Sequence, residues 1–284
     1  MHCSDVEYLY GLRTVDYPRA MTASMVAADD RPAEFVQSLE RGLAVIRAFS
    51  QERPRMTLSE VARETGMTRA AARRFLITLE ALGYVTTDGR QFSLRPSVLQ
   101  LGYAYLSSFS LAEIAQKHLE LLAERLHESC SASVLDDQDI VYVARASTNR
   151  IMTIGLSVGA RLPAYCTSMG RVLLAQLSPR DLDAYLARAD LHARTERTIT
   201  SPDRLRTELE RVREQGWCMQ DQELEDGVRS VAVPVRDSDG RVVAAINVSA
   251  HASRVSLEKL RQVFLPALIA SAREIDIDLA GRRH

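Results

Sequence analysis

Apolar positions along this chain change period several times, and each change marks an element. Between residues 57 and 94 (TLSEVARETGMTRAAARRFLITLEALGYVTTDGRQFSL) the pattern reads helix, turn, helix and hairpin. Thr57 stands three residues before Glu60, the spacing of a capping box that satisfies orphan N–H groups at a helix start. Leu58, Val61 and Ala62 then recur at the i, i+3, i+4 spacing of a buried face, and Gly66 sits where a helix ends in a left-handed residue. Thr68 is the expected N-cap of a second helix running to Leu82, with Ala72, Phe75, Leu76 and Leu79 on its core face. The opposite arc carries Ala70, Arg73, Arg74 and Ile77, with Arg69 in the first turn. Residues 84–87 and 91–94 flank Asp88-Gly89, a hairpin signal because the turn needs positive φ, and Arg90 falls at the hairpin tip.

That order is the order of a winged helix-turn-helix. Small alanines beside arginines let a helix backbone approach a groove, and the guanidinium fork matches guanine edges and phosphates. The expected DNA contacts are therefore Thr68, Arg69, Ala70, Arg73 and Arg74 on the second helix, with Arg90 at a phosphate. A single exposed arginine is more often a solvated surface residue; the ordered unit carries the inference.

The remaining periodicities fill out a second domain. Residues 35–50 predict a helix before the motif, with Leu39, Leu43, Val45, Ile46 and Phe49 near one face. Residues 97–106 form a nearly all-apolar helix, too apolar for an isolated linker, and packing on a second subunit would cover it. A helix with a Ser110 to Glu113 capping box follows, then strand runs at 131–135, 140–144 and 151–156. Helices are expected at about 169–176, 179–189 and 202–215, the last two with serine caps and proline at the first position, Ser178-Pro179 and Ser201-Pro202. Strands return at 228–235 and 242–249, and a helix over 256–275 closes the pattern. Helices interspersed with hairpin strands predict an α+β fold on an antiparallel sheet. The expected division is a tail over 1–34 that is disordered or precedes the true start, a DNA-binding domain over 35–95, a linker helix over 96–109 and an effector-binding domain over 110–284.

Charge sharpens the division. Residues 31–95 hold eleven arginines, no lysine and seven acidic residues, a net of +4, which leaves −5 for the rest of a chain whose total is −1. Cys3, Cys130, Cys166 and Cys218 lie too far apart for a zinc finger or a disulfide framework, so buried thiols are expected and no metal or cofactor. No run of 18 apolar residues and no signal-peptide pattern occurs, which gives a cytoplasmic protein with no membrane role as the expectation. Ser249, His251 and Asp221, or Cys166 beside Thr167, could be imagined as catalytic groups. With no G-x-S-x-G, H-E-x-x-H or P-loop spacing, no catalytic residue and no enzyme is expected.

The stretch VGARLPAYCTSMGRVLLAQL over 158–177, with Gly216-Trp217, residues 221–225 and GVRSVAVP over 227–234, resembles the effector domain of IclR-type bacterial transcription regulators. The head TGMTRAAARRFLITLEALGYV over 65–85 resembles the Pca/Pob branch of that family. The resemblance, over residues 35–280, implies a winged-helix head, a linker helix and a GAF-like α/β ligand-binding domain, acting as a homodimer or dimer of dimers on double-stranded operator DNA. It also implies control of aromatic-acid breakdown, with protocatechuate, 4-hydroxybenzoate or β-ketoadipate as effector; effector binding would then either favour release of the operator or recruit RNA polymerase as a further partner. The implied effector contacts are Met152, Ser168, Met169, Gly170, Gln220, Asp221, Ser230, Asn247 and Ser249. Ser168 to Gly170 would offer free N–H groups at a helix N-terminus, and Asn247 and Ser249, two apart, share one strand face. Met169 is larger than the small residue of members with very small effectors, and Gln220 stands where an aspartate can occur. Arg150 and Arg161 are further candidates for an anionic ligand. The alternatives are a family member serving another carbon pathway through a small carboxylate, and a DNA-binding protein without a ligand.

Overall fold

The computed structural model describes residues 32, 34–50, 52–102, 110–147 and 156–281. Expectations for residues 1–31, for 103–109 of the linker, and for Arg150, Met152 and the rest of the strand run over 151–155 lie outside them. The chain divides into two compact units, Met1–Ala104 and Tyr105–His284.

In the first unit α1 spans Gln37–Arg47, β1 Met56–Thr57, α2 Leu58–Glu64, α3 Arg69–Ala81, β2 Val85–Thr87 and β3 Gln91–Leu94. The capping box forms: Glu60 N–H donates to Thr57 Oγ1, and Thr57 N–H donates to Glu60 Oε2 at 2.7 Å. Gly66, at φ +64°, ends α2, and Thr68 caps α3 by accepting from Ala71 N–H. Val45, Met56, Val61, Ala72, Leu76 and Leu79 make the core. Two expectations shift. Leu39 and Leu43 lie on the outer side of α1 and are exposed, so only Val45 of the five expected residues is fully buried. A two-residue strand, β1, adds to the hairpin to give the sheet order β1-β3-β2; so short a segment carries no readable period. The helical chain beyond the wing begins as a 3-10 turn at Pro96–Val98 and continues through residues 99–102.

In the second unit α4 spans Ser110–Leu126, β4 Ser129–Asp136, β5 Asp139–Ala146, β6 Arg161–Pro163 and α5 Ser168–Leu174. Then come α6 Pro179–Arg188, α7 Pro202–Gln215, β7 Cys218–Asp221, β8 Val228–Arg236 and β9 Val242–His251. The strands form one antiparallel sheet in the order β6-β5-β4-β9-β8-β7. Ser178 and Ser201 cap α6 and α7 above Pro179 and Pro202, as the sequence predicts. β7 was not visible in the hydrophobic pattern, and the edge strand at Arg161–Pro163 follows the predicted run at 151–156.

The sheet is covered on both faces. One face packs against α4 and the C-terminal helix α8 (Leu265–Gly281) through Leu119, Ile246, Val248 and Leu268. The other packs under α5, α6 and α7 through Met169, Leu174, Leu182 and Leu209. The closing helix is not uniform: a short turn at Leu257–Lys259 leads through a π-helical turn, Leu260–Phe264, into α8. Pro266 has no N–H and its ring excludes the carbonyl four residues back, which a widened turn just before it relieves.

Candidate functional site

Two surfaces carry chemistry, one in each unit. On α3 the side chains of Ala72, Leu76 and Leu79 point into the core, which leaves Arg69, Ala70, Arg73, Arg74 and Ile77 exposed on the opposite arc. Thr68 is exposed too, but its hydroxyl oxygen already accepts the Ala71 N–H. Arg90 lies exposed between β2 and β3, where Asp88 accepts from the N–H groups of Arg90 and Gln91 at 2.9 and 2.7 Å. Those two donors, Gln91 first, hold the Asp88 carboxyl below its ordinary value. Among the described residues Arg69, Arg73, Arg74 and Arg90 make no ion pair, so their guanidinium groups are available to phosphates or base edges.

The second surface is a cavity over the α5 side of the large sheet, measuring about 60 Å³ for the centres of water-sized spheres. A single water needs roughly 10–15 Å³ on that measure, so there is room for several waters or a small organic molecule. Antiparallel register builds its floor. Ser129 pairs with Ser249, Ser249 with Ser230 and Ser230 with Gln220, which sets four polar side chains in one row across four strands. Two residues along, Arg145 pairs with Ser131 and Ser131 with Asn247, and the two rows share a face because side chains alternate. Ser168 and Met169 close the cavity from α5: the Ser230 hydroxyl donates to Ser168 Oγ at 2.8 Å, and the Ser133 hydroxyl contacts Met169 Sδ.

Asn247 Nδ2 donates to Ser249 Oγ at 3.0 Å, but Asn247 Oδ1 and Gln220 Nε2 are buried with no partner. These residues are 5% and 3% exposed. An unpaired buried polar atom costs about 1–3 kcal/mol, so these two amides are costly features of the polar face that lines the cavity. Arg145, on the cavity wall, makes no ion pair among the described residues. Burial pushes the Tyr142 phenol up to about 12, which keeps it protonated as a donor.

The structure thus gathers Ser168, Met169, Gln220, Ser230, Asn247 and Ser249 around one space. Three other sequence candidates stand elsewhere. Gly170 packs its Cα side against the backbone of Ala164, and its N–H is taken by Thr167 Oγ1 at 3.2 Å, so it offers no free donor to a ligand. Asp221 points to the other side of β7 from Gln220 and pairs with Arg197 and Arg229. Arg161 lies at the surface, bound to Asp136 and Asp139. Sequence reasoning missed Glu128, Arg145 and Arg254 on the wall. A readable signal lay in Ser129, Ser131 and Ser133 alternating with Cys130, Ala132 and Val134, a strand with one polar and one apolar face. Burial pushes Cys166 and Cys218 up to about 12, so neither thiol is a nucleophile at neutral pH.

Comparison with known proteins places both surfaces in one lineage. Residues 38–89 match the IclR helix-turn-helix domain, and residues 103–277 match the description "Bacterial transcriptional regulator IclR C-terminal". The Pca regulon regulatory protein of Pseudomonas putida is 49% identical over 263 residues, covering 92% of this chain and 90% of the relative. The p-hydroxybenzoate hydroxylase transcriptional activator of Acinetobacter baylyi is 36% identical over 250 residues, 86% of this chain and 92% of that protein. Among solved structures, a double mutant of the PobR transcription factor inducer binding domain from Acinetobacter, in complex with 3-hydroxybenzoic acid, superposes with a TM-score of 0.55 at 34% identity. That match covers 58% of this chain and 96% of that one. With a winged head that matches the family and an α/β domain whose match spans more than half of the chain, and with Pca and Pob regulators as relatives, the chain belongs to the IclR family of bacterial transcription regulators and is not an enzyme.

Proposed function

We propose that this protein is a ligand-responsive regulator of aromatic-acid catabolism, whose cavity binds a small carboxylate such as 4-hydroxybenzoate, protocatechuate or β-ketoadipate. The observation that carries the reading is a cavity lined by the polar side chains of Ser168, Gln220, Ser230, Asn247 and Ser249, with Arg145 on its wall. The Pca and p-hydroxybenzoate regulators among its relatives, and the hydroxybenzoic acid in the PobR domain, support the choice of ligand class. Ser168, Met169, Gln220, Ser230, Asn247 and Ser249 contact the effector, with Met152 as a further candidate from the sequence.

In this reading a homodimer, or a dimer of dimers, works in the cytoplasm on paired operator half-sites, with RNA polymerase as a further partner. Thr68, Arg69, Ala70, Arg73 and Arg74 face the groove and Arg90 a phosphate. A ligand shifts such an equilibrium only by its difference in affinity between the two states. A thermal-shift panel with protocatechuate, 4-hydroxybenzoate, β-ketoadipate, benzoate, catechol and pyruvate tests the effector. A ligand at 100 times its Kd adds about 2.7 kcal/mol to the folded state and raises the melting point. If none of the aromatic acids nor β-ketoadipate does so, the assignment to aromatic catabolism fails. Arg74→Ala should weaken operator binding by about 1–3 kcal/mol at fixed salt; unchanged affinity removes Arg74 from the readers.

A further inference from the structure

The cavity already contains a carboxylate of its own. Glu128, immediately before β4, lies on the wall with its side chain only 8% exposed, and both of its oxygens accept from Arg254 Nη2, at 3.1 and 3.3 Å. Arg254 is also on the wall, but its side chain is 39% exposed and reaches in from the turn after β9. That turn is propped: Arg229 Nη1 donates to the carbonyls of Ala252 and Val255 at 3.2 and 3.0 Å, and Asp221 pairs with the same guanidinium. Asp221, outside the cavity, thus acts through Arg229 as a positioning residue for the turn that carries Arg254.

We infer that Glu128 is a built-in competitor of the effector, a side-chain carboxylate that occupies Arg254 until a ligand carboxylate takes its place. The inference rests on the reading of the cavity as a carboxylate-effector site. A ligand anion entering beside Glu128 meets like-charge repulsion and competes with the Glu128 carboxylate for the Arg254 Nη2 group that it holds. Glu128 thereby sets the affinity threshold and rejects weak anions. The pair is asymmetric: neutralising Glu128 leaves an arginine that water still reaches, whereas removing Arg254 strands a buried carboxylate.

The test is titration calorimetry on the full chain and on Glu128→Gln, which keeps the side-chain volume, and Arg254→Gln. The probes are 4-hydroxybenzoate, protocatechuate, β-ketoadipate and the uncharged 4-hydroxybenzamide. Glu128→Gln should bind the acids about tenfold more tightly, a gain of about 1.4 kcal/mol. The same change should leave the amide within about twofold, because the amide does not compete for a cation. Arg254→Gln should lose that gain, and so should the double variant, which strands no charge and covers the case in which Arg254→Gln does not fold. Acid binding that is unchanged or weaker in Glu128→Gln, while the parent protein binds, overturns the inference and leaves the effector reading standing. Absence of acid binding in every variant overturns the effector reading, and the inference with it.

Discussion

Arg171 is the most demanding side chain in the effector unit, and replacing its partner should expose that. It is a cation with only 1% of its side chain exposed, and its Nε donates to the Tyr165 carbonyl at 2.8 Å. Its Nη1 and Nη2 donate to the two oxygens of Glu223 at 2.8 and 2.6 Å, and a second carboxylate, Glu208, stands 3.9 Å away. Glu223→Gln keeps one acceptor and sets an NH2 group against the other guanidinium N–H. One charge-assisted bond, about 1.5–3 kcal/mol, is lost, and breaking a buried pair from one side costs about 3–5 kcal/mol. Glu208 remains nearby, which puts the expected loss at the lower end, about 3 kcal/mol. At about 2–4 °C per kcal/mol that lowers the melting midpoint by about 6–12 °C. Urea unfolding followed by far-UV circular dichroism gives the free energy directly. The double variant Arg171→Met/Glu223→Gln should cost no more than Glu223→Gln, because it strands no charge. A Glu223→Gln loss below about 1 kcal/mol would refute the argument that the pair is held by desolvated charge rather than by packing. The pair also matters to the cavity, since Leu224, next to Glu223, lies on its wall.

Three further outcomes are expected. Thr57→Ala removes the cap of α2 and should destabilise the head by about 1 kcal/mol, read by thermal unfolding. Thr57, through its N–H first and its hydroxyl second, holds the Glu60 carboxyl below its ordinary 4.5. Glu60 therefore stabilises the head above pH 4.5, and that contribution fades as pH falls through the lowered folded value; a wild-type acid titration that shows the same slope as Glu60→Gln, which has no carboxyl to titrate, contradicts this. Gly170→Ala places a Cβ 2.2 Å from the Ala164 carbonyl oxygen, a backbone atom, and should lose about 3 kcal/mol, the upper part of the overpacking range; a melting point at or above the parent's rules out the close approach. Cys130, Cys166 and Cys218, each pushed up to about 12 chiefly by burial, should resist a disulfide reagent at pH 8 in the native protein and react fully in denaturant, with labelled peptides identified by mass spectrometry.

Local order was written in the chain. The Thr57 and Glu60 capping box, the left-handed Gly66, the Thr68 cap, the Asp88-Gly89 hairpin and the Ser-Pro starts of α6 and α7 all concern groups within four residues of each other. Their hydrogen bonds and backbone preferences act before any tertiary contact forms, so spacing alone identifies them. The resemblance to IclR regulators added six of the cavity's side chains. Only the tertiary structure decided the rest. The row from Ser129 through Ser249 and Ser230 to Gln220 depends on the register of three strand pairs, and register is set by the burial of both sheet faces rather than by any one strand. The same register turns Asp221 away from the cavity while Gln220 faces it, and the backbone approach of Ala164 takes Gly170 out of reach of a ligand. Glu128 and Arg254 stand 126 residues apart, and no local pattern links them; the packing of the turn after β9 against the start of β4 brings them together, because a buried carboxylate is stable there only beside a cation.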